Sequence, residues 1–279
     1  MTAFVGAAGA AGVAEVERAA ADPGSRAGGA VVTATLDRLV RERATGALHG
    51  RAGALYLADG ALVHAESPVV PDVGWRLTAG GRLSRSSWEE AVAEGGPGHR
   101  AGSLLVERGR LSRGELELCH LSALFDAAYF VLFPLDGSQR APDRFLREAR
   151  HWFGPVRPVP VAAVQREVRR RRGLLERAWP CPEVDVSPVV PVPGAVRRAR
   201  PGAVLAAADG VRTPTQIAGA LGRSAFATLL DVRRLAAAGL VRTPAPGTPE
   251  AGPAPAARVP ADAPEISLLR RIRDALEAL

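Results

Sequence analysis

Apolar positions recur in two periods along this chain, and each change of period marks a change of element. Val32, Leu36, Leu39 and Val40 fall at helical spacing and predict a helix from near Val32 to around Thr45-Gly46. The pattern then shortens. Ala47 to His49 and Ala54 to Ala58 are short extended segments, and Asp59-Gly60 between LYLA and ALVHA signals a two-residue hairpin, because both turn positions need positive φ. Two related pieces follow, LTAGGRLSRSSWEEAV and LLVERGRLSRGELELC, which share Gly-Arg-Leu-Ser-Arg at a spacing of 28 residues. In each copy a serine, Ser84 or Ser112, stands ahead of a helix with an acidic first turn, which predicts a strand or turn feeding a capped helix. The second of these helices continues through His120 to Phe133 with Leu121, Leu124, Phe125, Ala128 and Leu132 as core positions. A later helix, Val161 to Ala178, has Val164, Val168 and Leu175 on its apolar face. It also carries four arginines, Arg169 to Arg172, which cannot all point one way, so at least one must graze that face.

From Val204 to Val241 the order of apolar runs and breakers is more specific. A first helix with Val204 and Leu205 stops at Asp209-Gly210; Thr213-Pro214 opens a second, in which Ile217, Ala218 and Leu221 share a face, and Gly222 ends it. Ser224 caps a longer third helix, Ala225 to Ala238. Gly239 closes that helix before a short strand, Leu240 to Arg242, that would begin a wing. Helix, turn, longer helix and strand form the layout of a winged helix-turn-helix, which places its longer helix in the major groove. Aligned on its glycine ends, this helix turns Thr228, Val232 and Leu235 inward. Ala225, Phe226, Leu229, Leu230 and Arg233 then face the groove.

The flanks read differently. Residues 1–30 are rich in Ala and Gly and too poor in large apolar groups to offset ordering entropy, so a disordered arm is expected. Residues 244–264 read as an extended Pro/Ala linker, and over 265–279 Leu269, Ile272, Leu276 and Leu279 line one stripe of a helix too short to be stable alone. The fold class is therefore α+β. It comprises a small mixed module over 31–153, an arginine-rich helix and connector over 154–183, and a winged helix over 195–243.

Charge sharpens this division. All 36 basic residues are arginine, which excludes a Walker-type lysine, a Schiff-base lysine and a serine-lysine pair. Between Val31 and Phe153 there are 15 basic and 15 acidic residues, but between Gly154 and Thr243 there are 15 basic against 6 acidic. The basic half points to a polyanion partner. Cys119 and Cys181 are too few for a disulfide framework and lack zinc-site spacing. No signal peptide pattern and no bilayer-length apolar run is present, so the expected compartment is the cytoplasm, with no membrane partner.

Thr45-Gly46-Ala47-Leu48, followed by Leu55-Tyr56-Leu57-Ala58-Asp59-Gly60-Ala61-Leu62-Val63-His64-Ala65, resembles the PATAN-type module of bacterial signalling proteins. In that module a TG-x-L strand precedes a hairpin ending in a His-Ala pair. The match covers roughly Val32 to Phe133, and Ala162 to Trp179 is similar to the Arg-rich helix, ending in Trp, that often follows. The resemblance implies a non-catalytic adaptor found in regulators, often beside small GTPases and roadblock-type proteins, with no catalytic residues to carry over. Winged-helix segments opening as Asp209-Gly210-Val211-Arg212-Thr213-Pro214 does are also similar to protein-binding modules of regulators.

Candidate chemistry is sparse. The histidines are His49, His64, His99, His120 and His151, and no two stand in metal-ligand spacing, so neither metal nor cofactor is expected. His64 on the hairpin reads as bonding a neighbouring carbonyl, with a sensor role as the alternative. Neighbouring Cys119 and His120 on one helix diverge and cannot pair for catalysis. Gly6, Gly9 and Gly12 lack the strand that a phosphate loop needs. For DNA, base readout falls to Arg233 with Arg223 and Arg234 at its flanks, and phosphate contact to Arg197, Arg198, Arg200, Arg212, Arg223 and Arg242. The apolar face Phe226, Leu229 and Leu230 and the tail stripe Leu269, Ile272 and Leu276 suit a protein partner, and a homodimer stays open. The expected function is non-enzymatic transcriptional regulation through phosphate-dominated binding of double-stranded DNA. The alternative is an adaptor of a small-GTPase or roadblock-type system whose winged helix does not bind DNA.

Overall fold

Asp59 and Gly60 take φ of 49° and 77°, the paired positive values of a tight hairpin turn, and the sheet grows outward from that turn. β2 (Gly53–Ala58) and β3 (Ala61–Glu66) are its arms, and β1 (Gly46–Gly50) pairs antiparallel with β2. The computed structural model from which this is read describes residues 23–135, 144–154, 156–194 and 202–242. Two later strands complete an antiparallel sheet of order β4-β1-β2-β3-β5: β4 (Arg144–Arg147) beside β1, and β5 (Val159–Pro160) beside β3. Leu48, Leu55, Leu57, Leu62 and Ala65 form its buried apolar face. Leu36 and Leu39 of the first helix, α1 (Pro23–Arg41), cover that face.

α1 begins at Pro23, inside the stretch expected to be a loose arm. Proline at the first turn has no N–H to satisfy and a preset φ, which offsets the weak helix propensity of the Gly/Ala residues that follow. Residues 1–22 lie outside the described residues, as do the linker and tail helix expected beyond 243.

The 28-residue repeat is a repeat of structure. Helices α2 (Val73–Ala79) and α4 (Ala101–Glu107) each run into a Gly-Arg-Leu-Ser-Arg turn that feeds α3 (Arg85–Gly95) and α5 (Arg113–Leu132). The turns are superposable bond for bond: Arg82 and Leu83 N–H both donate to the Leu77 carbonyl, as Arg110 and Leu111 do to that of Leu105. Gly81 and Gly109 take φ of 69° and 63°. Ser84 accepts from Ser87 N–H, and Ser112 forms a full capping box with Glu115. Of the expected strand or turn, it is a turn that feeds each capped helix, and it does so by satisfying the last carbonyls of a short helix that precedes it. Leu77, Leu83, Leu105, Leu111 and Phe153 lie in the buried core between the two copies.

The arginine-rich helix is α6 (Val161–Ala178), with Val164, Val168 and Leu175 buried. A 3-10 turn (Pro182–Asp185) then leads into a small C-terminal unit of α7 (Ala203–Ala207), α8 (Pro214–Leu221) and α9 (Ala225–Ala237). β6 (Val190–Pro191) pairs there with β7 (Val241–Arg242). Thr213 and Gln216 form a capping box, Gly222 closes α8 at φ 61°, and Ser224 accepts from Ala227 N–H at the start of α9. Val204, Leu205, Ile217, Val232 and Val241 fill this unit's own core. The described residues all belong to one compact unit. No helix among the described residues is long and apolar enough to cross a membrane.

Candidate functional site

Side-chain geometry revises the expected roles of α9. Thr228 and Val232 point inward, as the glycine alignment requires, but the opposite face is not open. Ala225, Phe226 and Leu229 are buried in the core shared with α5 and α6, and Leu230 packs at its margin. The Phe226 ring meets Tyr129 edge-on at 5.6 Å and carries the Arg171 guanidinium 4.6 Å above it. The residues expected to meet a groove or a partner protein therefore meet the chain's own first module, because that module supplies an apolar surface wide enough to cover them. Arg171 is the arginine of the run that grazes the apolar face.

Asp126 of α5 fixes this seat. Its carboxylate is fully buried and takes hydrogen bonds from Arg76 at 2.6 Å, Arg171 at 2.7 Å, and Ser224 Oγ and Ala225 N–H, each at 2.9 Å. The last two partners are the cap and first residue of α9, so one carboxylate satisfies an orphan helix donor and meets the positive end of the helix dipole. Trp75 of α2 adds a bond from its indole N–H to the Gly219 carbonyl at 2.8 Å.

Arg233, the expected base reader, is also corrected. It is buried and bidentate to Asp185 at 2.6 and 2.8 Å, so extracting it toward a base would strand a buried carboxylate. Arg212 pairs with Asp209, while Arg223 and Arg234 share Asp231. Arg212, Arg234 and Arg242 are exposed. Arg197, Arg198, Arg200, Leu269, Ile272 and Leu276 lie outside the described residues.

A second polar constellation lies at the seam between the sheet and the helical repeat. His64 and Glu66 alternate along β3 and so share one face; His120 comes from α5 and His151 from the segment after β4. His64 Nδ1 lies 2.9 Å from His120 Nε2, and the His64 and His151 rings stack with centroids 3.5 Å apart. His64 bonds a ring and not the neighbouring carbonyl its hairpin position suggested. His151 Nε2 is 2.8 Å from Glu66 Oε1, while Tyr56 donates its hydroxyl to Glu66 Oε2 at 3.2 Å. Phe153 stacks on His120 at 5.8 Å and ties the cluster to the repeat core.

Burial, then the neighbouring His151 and His120, pushes His64 well below the usual histidine range. His120 falls to about 4 by burial and His151, against a hydrogen bond with the Val63 backbone that works the other way. Burial acts to raise Glu66 and is outweighed by the His151 and Tyr56 hydrogen bonds, which leave its carboxyl lowered. Burial, then Glu66, raises the Tyr56 phenol. Burial thus disfavours charge on His64 and His120, while hydrogen bonds favour it on Glu66.

Two clefts flank the cluster. One, of about 520 Å³, is lined by His49, His64, Glu66 and Asp72; the other, of about 660 Å³, by Tyr56, His99, Arg100 and His151. Of this site the sequence singled out only His64; Glu66 was missed, although its place two positions on along a strand puts it on the same face. His120 and His151 carried no local signal of their convergence. The chain matches no protein-family model, no curated protein and no solved structure.

Proposed function

We propose that this chain is a non-catalytic regulator, a PATAN-like module with a winged-helix unit built onto it, that works by presenting protein surfaces and not by reading base edges. The observation that carries the reading is the seat of α9. The face that would enter a major groove packs on α5 and α6, and Asp126 holds its first turn. A helix seated in this way offers a duplex only its flanks. Exposed Arg212, Arg234 and Arg242 can meet phosphates there, which adds affinity without sequence choice. The resemblance of residues 32–133 to PATAN-type modules supports an adaptor role beside a small GTPase or a roadblock-type protein.

Short duplexes of different sequence, titrated across a salt series, test this directly. Any association is expected to be weak and equal for every sequence, and Arg212→Gln with Arg242→Gln should reduce the log-log salt slope by about two units. A preference for one sequence of about tenfold, worth about 1.4 kcal/mol, overturns the reading. The adaptor role further requires a partner that co-purifies after nuclease treatment and rebinds when purified, and failure to find one counts against it.

A further inference from the structure

From the convergence of His64, Glu66 and His151 we propose a binding site for one first-row divalent ion of zinc's class, joining β3 to the segment that follows β4. One ligand atom from each of these residues lies within 4.8 Å of the other two. Tetrahedral ligands at bond lengths of about 2.0–2.1 Å stand about 3.3 Å apart, so closure draws the ligand atoms together and requires one of the stacked imidazoles to swing out of the stack until both in-plane lone pairs meet at the ion. Two imidazoles and one carboxylate suit zinc, cobalt or nickel and leave too few oxygens for calcium or magnesium.

The surrounding hydrogen bonds prepare the donors. His64 Nδ1 lies 2.9 Å from His120 Nε2, and in the tautomer where His64 Nδ1–H is the donor, His64 Nε2 keeps its lone pair for an ion. A ligating histidine commonly has this support on its second nitrogen. Tyr56 holds the far oxygen of Glu66 in the same supporting role. The ion would take the place of the proton between His151 Nε2 and Glu66 Oε1, and the weak 3.2 Å contact from Phe153 N–H to His151 Nδ1 would be given up. The cleft of about 520 Å³ beside His64 and Glu66 supplies an entry path and room for a water as fourth ligand.

The test uses the untagged full chain, stripped with a chelator and titrated with cobalt(II) chloride, then with zinc(II) chloride in competition. We expect one ion per chain, a visible cobalt spectrum of the tetrahedral type, and its loss on zinc addition. Glu66→Gln and His151→Gln should each weaken binding by more than the about 10–100-fold expected for the supporting change His120→Gln. Cys181→Ser, at an exposed thiol, should bind as the parent does. Glu66 is only partly buried, so Glu66→Gln is expected to keep the parent's circular dichroism and remain informative if a histidine variant fails to fold. Absence of saturable binding, or binding unchanged in a folded Glu66→Gln, overturns the site.

Discussion

Asp126 ties α2, α6 and the start of α9 to α5 through a single buried carboxylate. Its carboxylate neutralises two guanidiniums that are themselves nearly buried and caps a helix from another part of the sequence. Asp126→Ala should cost about 3–5 kcal/mol, measured by urea unfolding, because it strips the nearly buried Arg76 of its carboxylate and leaves Arg171 only Glu167. Glu167 gives a different kind of test. The hydrogen bond from Arg170, with Arg171 adding to it, holds its carboxyl at about 2. A carboxyl depressed on folding contributes stability that is present above its unfolded value of 4.5 and is lost as pH falls through about 2. Comparing Glu167→Gln with the parent, the difference in urea midpoint should be constant above about pH 5, shrink as pH falls and vanish only below about pH 2. A difference that grows on acidification would contradict this account of the Arg170/Arg171 contacts.

Elements in this chain are closed by local chemistry that the repeat allows to be compared twice. At Gly81 and Gly109 an added Cβ meets open space, so only the left-handed backbone resists substitution. Gly81→Ala and Gly109→Ala should therefore each cost about 1–2 kcal/mol, and the two costs should agree within error in thermal unfolding. The caps differ. Ser112 exchanges bonds in both directions with Glu115, whereas Ser84 is answered only by Ser86 and Ser87. Within the about 0.5–2 kcal/mol range for cap removal, Ser112→Ala should fall toward the upper end and Ser84→Ala toward the lower.

At the scale of the whole molecule, α9 belongs to two cores at once: Val232 to that of the C-terminal unit, Phe226 and Leu229 to that of the sheet. Such sharing should couple their opening. In native-state hydrogen exchange the slowest amides of α5 and α9 are expected to report one opening free energy, and Phe226→Ala should lower both by about 3–5 kcal/mol. If α9 alone lost protection, the seat would be a loose contact that leaves the helix free to turn its face outward.

Local residue order sets the elements: the Asp59-Gly60 hairpin, the paired Gly-Arg-Leu-Ser-Arg turns, the α6 run and the boundaries of α8 and α9. Each is set by residues within a turn or two of one another, through positive-φ glycines, caps and apolar period. The fold class followed from their order. Tertiary structure alone decided what those elements face. Ser224 and Asp126 are 98 positions apart, His151 and Glu66 85, and His64 and His120 56, distances over which no local period carries information. An apolar helix face reads the same whether it awaits DNA, a partner or the chain's own core. Here the first module covers it, and a buried arginine that looked like a reader of bases holds the C-terminal unit together through Asp185.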